Sequence, residues 1–235
     1  MTAAEIVAEL KPLGKESYKK ILRNHGIQEP VLGVSVEQLK KIQKRIKRDY
    51  QLALDLYDTG IYDAMYLAGL IADDDKMTKK DLQHWVDHSQ GPTLCGSTVA
   101  WVAAESRYGR EMALKWIESK KEPVAAAGWA TLSSLVSITD DAELDLAELK
   151  QLLERVVKTI HSQPDAVCYH MNGFVISLGV YVPALTAAAL KAGEKVGAVE
   201  VDMGNTACKV PLIPDYIRKV EQRGTIGKKR KSARC

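Results

Sequence analysis

Three short clusters carry residue types that chemistry uses. Cys168-Tyr169-His170 sets a thiol and an imidazole two residues apart. On a helix those two side chains point to different faces, whereas residues that share a metal usually sit three or four apart. His84 and His88 have the i,i+4 spacing, with Asp87 beside them, but no glutamate completes an HExxH arrangement. They read as an exposed helix end. Asp73-Asp74-Asp75 looks like the start of a calcium loop yet lacks the Gly and the closing Glu of that loop. It reads as an acidic connection between helices. No metal site is expected. GxGxxG, a Gly-Lys-Ser/Thr phosphate loop and GxSxG are all missing, so nucleotide-cofactor and hydrolase readings have no support, and no cofactor is expected.

Two basic segments point to a polyanion. The first is a helix carrying Lys40, Lys41, Lys44 and Arg45, followed by Lys47 and Arg48. The second is residues 227–235, with Lys228, Lys229, Arg230, Lys231 and Arg234 among small residues. That segment reads as a flexible cationic tail on a single domain spanning 1–226. Each phosphate neutralised by such a side chain releases a counterion, so binding would depend on salt and not on base identity. The overall charge of +3 conceals the pattern. Residues 1–48 hold 11 basic and 5 acidic side chains, residues 49–190 hold 11 and 20, and residues 191–235 hold 11 and 5. Two basic ends flank an acidic middle, an asymmetry that suits a polyanion contacted by the ends.

The elements that would position these residues are helices. Thr2-Ala3-Ala4-Glu5, Ser35-Val36-Glu37-Gln38 and Thr78-Lys79-Lys80-Asp81 are helix-opening signals. Pro123, Pro164 and Pro183 stand where a first helical turn tolerates proline. Apolar residues recur at helical spacing over 15–25, 36–46, 49–58, 61–72, 78–86, 97–105, 107–118, 123–136, 145–161, 165–182 and 184–195. Only Val199–Met203 alternates in the manner of a strand. The helices group into antiparallel pairs at 49–88, 92–121, 122–162 and 164–197. That period predicts an all-α solenoid, a right-handed superhelix of HEAT-like helix pairs with a concave face. A compact irregular helical bundle is the competing fold.

Composition agrees. Apolar residues make up 46% and charged residues 27%, which excludes a disordered chain. Phe occurs once, at Phe174, so the core must be aliphatic, which suits close-packed helices. No apolar run is long enough to span a membrane. The N-terminus lacks the features of a signal peptide, and the four scattered cysteines read as reduced thiols in the cytoplasm.

With these features in place, the chain resembles the AlkD-like DNA alkylation repair family. The resemblance rests on Gly33-Val34-Ser35-Val36-Glu37-Gln38-Leu39-Lys40-Lys41-Ile42, on Tyr62–Asp87 with its Trp85-Val86-Asp87 end, and on Met171-Asn172-Gly173-Phe174-Val175-Ile176. The segment from Val199 through Cys235 is similar to that of a bacterial subgroup. The resemblance implies HEAT-like repeats that hold double-stranded DNA in a basic concave groove. It also implies glycosylase chemistry, in which a carboxylate beside the deoxyribose stabilises developing positive charge as an alkylated purine leaves.

The catalytic segment of that family does not carry over. Pro92 stands at its Trp, Thr93 at its first Asp and Gly96 at its catalytic Asp. Ala125-Ala126-Ala127 and Leu178 fall where the family has arginines, and Phe174 where it has a Trp. The expectation is a DNA-binding relative without the usual catalytic carboxylate. Two alternatives stand beside it: an active glycosylase using another residue, and a non-catalytic helical-repeat scaffold for a protein partner.

Overall fold

A computed structural model describes residues 1–234, apart from the side chain of Pro92. The described residues form helices and irregular connections, with no strand. The helices are α1 (Ala3–Leu10), α2 (Glu16–Asn24), α3 (Val36–Ile46), α4 (Tyr50–Tyr57), α5 (Tyr62–Ile71), α6 (Lys79–Asp87) and α7 (Gly91–Leu94). A π turn at Cys95–Val99 joins α7 to α8 (Ala100–Glu105). Then come α9 (Gly109–Trp116), α10 (Glu122–Ile138), α11 (Leu146–Thr159), α12 (Asp165–Tyr181), α13 (Thr186–Val196) and α14 (Ile213–Gln222).

The helix starts follow local chemistry. The Thr2 hydroxyl accepts from the Glu5 N–H while the Glu5 carboxylate accepts from the Thr2 N–H, a reciprocal cap that recurs between Thr78 and Asp81. Ser35 caps α3 by accepting from the Gln38 N–H. Pro123 sits in the first turn of α10, and Pro164 is the residue before α12.

Neighbouring helices stack side by side as a solenoid. A central row runs from α5 through the π turn and α8 to α10 and α12, and α4, α6, α9 and α13 pack along it. The row is apolar on nearly every side: all ten residues of α5 are buried, as is the continuous run Val124–Leu132 of α10. A helix buried all round loses its amphipathic stripe. Tyr57 stacks on Trp85 with ring centres 4.2 Å apart, and Trp129 tilts against Phe174 at 5.3 Å. No single helix among the described residues is long and apolar enough to cross a membrane.

Three expectations need correction. The helix expected from residue 97 begins at Gly91, because the π turn shifts the apolar register through Cys95–Val99. Val199–Met203 is irregular and pairs with no strand among the described residues. The segment between α13 and α14 instead folds back over the solenoid. The Asp202 N–H donates to Asp165 at 2.9 Å, and a Cβ on Gly204 would lie 2.8 Å from the Asn24 carbonyl.

The third concerns the C-terminal segment. Residues 227–234 lie as a strap across the C-terminal ends of the central helices. Gly227 N–H donates to Val180 of α12, and Arg230 N–H to Ser137 of α10, each at 2.8 Å. The Lys229 ammonium donates to the Val136 carbonyl at 3.0 Å. Ala233 is fully buried in the core of the N-terminal half. The last carbonyls of a helix have no partner within it and carry partial negative charge. A cationic strap satisfies both deficits at several helix ends in one pass. Cys235 lies outside the described residues.

Candidate functional site

The strap ends in a charge cluster. The Arg234 guanidinium pairs with Asp74 at 2.5 Å and Glu105 at 2.6 Å, and donates to the Gly69 and Ala72 carbonyls at 2.8 and 3.3 Å. Its side chain is 11% exposed. Glu105 also accepts from the Ser232 hydroxyl and the Ala233 N–H. Burial works against charge on Glu105, but the Ser232 hydrogen bond, Arg234 and the backbone N–H groups outweigh it and hold the carboxyl below its ordinary pKa. On Asp74 burial wins, raising its pKa against the pull of Arg234 and Arg48.

Asp74 also lies 3.8 Å from Arg48, just beyond α3. The two basic segments read from the sequence therefore converge on one acidic residue. Their other cations divide into two groups. Lys41 pairs with Glu37 at 2.8 Å, Arg45 makes two bonds to Glu9 at 3.0 and 2.6 Å, and Lys229 pairs with Asp141 at 2.9 Å. Lys40, Lys44, Lys228 and Lys231 make no ion pair with any described residue, and Lys44, Lys228, Arg230 and Lys231 are exposed. The Arg230 guanidinium donates to the Arg234 carbonyl at 3.0 Å.

Beside the strap, Lys228, Arg230 and Lys231 rim a cavity of 710 Å³ whose wall includes Tyr181 of α12 and Tyr216 of α14. Ser177 of α12 also lines this cavity and a second, smaller one of 180 Å³. The smaller cavity lies between Gly96 of the π turn, Ser133 and Ser134 of α10, and Tyr169, His170 and Asn172 of α12. Pro211, from the connection between α13 and α14, closes one side.

Gly96 decides what this second site can do. A Cβ built there would fall 2.5 Å from His170 Nε2, closer than real contacts allow. The imidazole thus occupies the space of a side chain at residue 96. Burial lowers the His170 pKa to about 4, so the ring is neutral near pH 7. Tyr169 meets it edge to face at 5.2 Å. None of the described residues lining this cavity is a carboxylate. Asp87 is taken up by Gln83 and Lys121, at 3.0 and 3.2 Å, and Asp165 by the Asp202 N–H.

The remaining motif positions lie inside the fold. Phe174 and Leu178 are fully buried, as are Ala126 and Ala127. Pro92 falls in the short helix α7. All four tryptophans are buried. His88 caps the C-terminal end of α6, with its Nδ1 2.9 Å from the His84 carbonyl, and His84 Nε2 lies 2.7 Å from Asp58.

Sequence reasoning missed His170 as the occupant of the site, because Cys168-Tyr169-His170 was weighed only as a metal pair. The sequence places the helix only from residue 97, so Gly96 reads there as a residue before a helix, and the close approach that its place inside the helical run implies is visible only in the structure.

Comparisons with known proteins place these features. Residues 6–205 match the family described as DNA alkylation repair enzyme. The uncharacterized protein Lin0241 of Listeria innocua serovar 6a is 31% identical over 228 residues, covering 95% of this chain and 99% of its own. Lmo0209 of Listeria monocytogenes serovar 1/2a is 30% identical over 228 residues with the same coverage. A solved structure superposes with a TM-score of 0.93 at 36% identity, covering 100% of both chains. It is described as "a new family of proteins related to the HEAT-like repeat DNA glycosylases with affinity for branched DNA structures".

Proposed function

The chain belongs to the DNA alkylation repair enzyme family, and from that premise we propose that it is a DNA-binding member whose work is recognition of branched DNA rather than base excision. The observation that carries this reading is the Gly96–His170 contact. It leaves residue 96, which the sequence resemblance aligns with the family's carboxylate, without a side chain and fills the gap with a neutral ring. An oxocarbenium-like transition state needs a fixed negative charge nearby, and the cavity offers none among its described residues. The full-length likeness to a protein with affinity for branched DNA supports the choice of ligand. The exposed cations Lys44, Lys228, Arg230 and Lys231 supply phosphate contacts. Cys95, Cys168 and Cys208 are free thiols, in keeping with a reducing cytoplasmic setting.

Gel-shift titrations of linear duplex and four-way junction DNA across a salt series test the reading. The expected result is tighter binding to the junction and affinity that falls steeply with salt. Equal affinity for both DNAs, or indifference to salt, overturns it. Base-release chromatography on alkylated DNA should show no release above the protein-free control. Release above it would favour a glycosylase acting through another residue. Recovery of a stoichiometric protein partner resistant to nuclease would favour the scaffold reading.

A further inference from the structure

The two cavities that share Ser177 differ in chemistry. The larger is rimmed by cations. The smaller has no charged residue in its described lining and is walled by hydroxyl, amide, imidazole and phenol groups. We propose that together they hold one unpaired nucleotide of a branched DNA, the base in the small neutral cavity and its flanking phosphates against Lys228, Arg230 and Lys231.

Size and polarity both suit a base. A volume of 180 Å³, against roughly 30 Å³ for each liquid water, gives room for a single heterocycle. Asn172 is 2% exposed; its Nδ2 donates to the Pro211 carbonyl at 3.0 Å, and its Oδ1 has no partner among the described residues. Buried polar atoms are almost always satisfied, so this acceptor, on a residue that lines the cavity, lacks a donor among the described residues. The Ser134 and Ser177 hydroxyls also make no hydrogen bond to described residues, and the neutral His170 ring presents one donor and one acceptor. Such a set suits the hydrogen-bonding edge of a nucleobase, which carries donors and acceptors but no net charge.

Two further observations agree. Tyr169 and Tyr216, one from each cavity, are 40% and 47% exposed, large aromatic surfaces at the mouths. Bases of single strands stack on such rings while cations track the backbone. Gly173 also lines the small cavity, and a Cβ there would meet nothing within 4 Å. The α12 backbone therefore stands clear at the entrance.

The inference rests on the branched-DNA reading, and the experiment separates the two. Two junctions are compared, identical except that one unpaired position carries either 2-aminopurine or an abasic spacer. The intact chain should bind the base-containing junction about tenfold more tightly, and 2-aminopurine fluorescence should change on binding. Gly173→Leu places a side chain in open space at the entrance. It should abolish the difference between the two junctions and the fluorescence change. Ser177→Ala, which removes the hydroxyl with little change in volume, should reduce the difference, with circular dichroism verifying the fold of both variants. Equal affinity of the unaltered chain for the two junctions overturns this inference alone. So does a preference that survives Gly173→Leu. No binding to either junction overturns both this inference and the reading beneath it.

Discussion

His170 fills the space that a side chain at residue 96 would occupy: a Cβ on Gly96 would sit 2.5 Å from its Nε2. Position 96 cannot take a carboxylate by a single substitution unless the imidazole moves. Gly96→Asp should destabilise the fold by about 1–3 kcal/mol, the usual cost of overpacking. Gly96→Asp with His170→Ala should recover much of that loss. Urea unfolding of the four members of the cycle measures the coupling, and additive single effects would contradict the contact.

His170 also gives stability a pH dependence. Its folded pKa is about 4 against an ordinary value of 6.5. Between those values the unfolded chain binds a proton that the folded chain does not, so stability falls as pH drops from 6.5 towards 4. The expected loss is on the order of 1–3 kcal/mol. His170→Gln should flatten that part of the profile, as read from denaturation midpoints at pH 7, 5.5 and 4.5.

Arg234 neutralises two carboxylates. Arg234→Ala leaves Asp74 buried without its guanidinium and Glu105 without its main cation. Breaking a buried pair from one side costs about 3–5 kcal/mol. Thermal unfolding should show a clear fall in midpoint. Arg234→Lys should recover little, because the guanidinium serves Gly69, Ala72, Asp74 and Glu105 at once.

Ile217 anchors α14. It is fully buried, and its side chain packs against Gly179 of α12 so closely that a Cβ on that glycine would clash with it. Ile217→Ala should cost about 2–5 kcal/mol, read from urea unfolding, and should loosen the wall of the larger cavity that α14 supplies.

Lys228 and Lys231 are exposed and make no ion pair with the described residues. Lys228→Glu with Lys231→Glu should weaken DNA binding in gel shifts. The slope of log affinity against log salt should become shallower by about 2, one for each lost phosphate contact. An unchanged slope would remove both residues from the interface.

The helical framework was legible because each helix carries its own local signal. Thr2, Ser35 and Thr78 announce starts, and the aliphatic spacing of Leu146–Ile160 announces a face. Helix α14 was not: two buried isoleucines, Ile213 and Ile217, sit among Pro, Asp, Arg, Lys and Glu, and the proline-containing entry reads as loop. The glycine at residue 96 was visible at once, but the imidazole that fills its space lies 74 positions away and meets it only through the packing of α12 on the π turn. The strap was misjudged for a related reason. Composition marks Gly227–Arg234 as cationic and small, which is the signature of a solvated tail. The acids and carbonyls that hold it come from α5, α8, α10 and α12 and from the connections after α5 and α10, and no local pattern reports them.

The strap also sets an order of events during synthesis. Arg234 follows its partner Asp74 by 160 residues and the Gly69 carbonyl by 165. Contacts so distant in sequence form late, after local helix pairs have already stacked. The N-terminal half must therefore wait, with Glu105 lacking Arg234 and Asp74 facing Arg48 alone, until residues 227–234 have been made, and Ala233 and Arg234 then complete a core begun by the first helices.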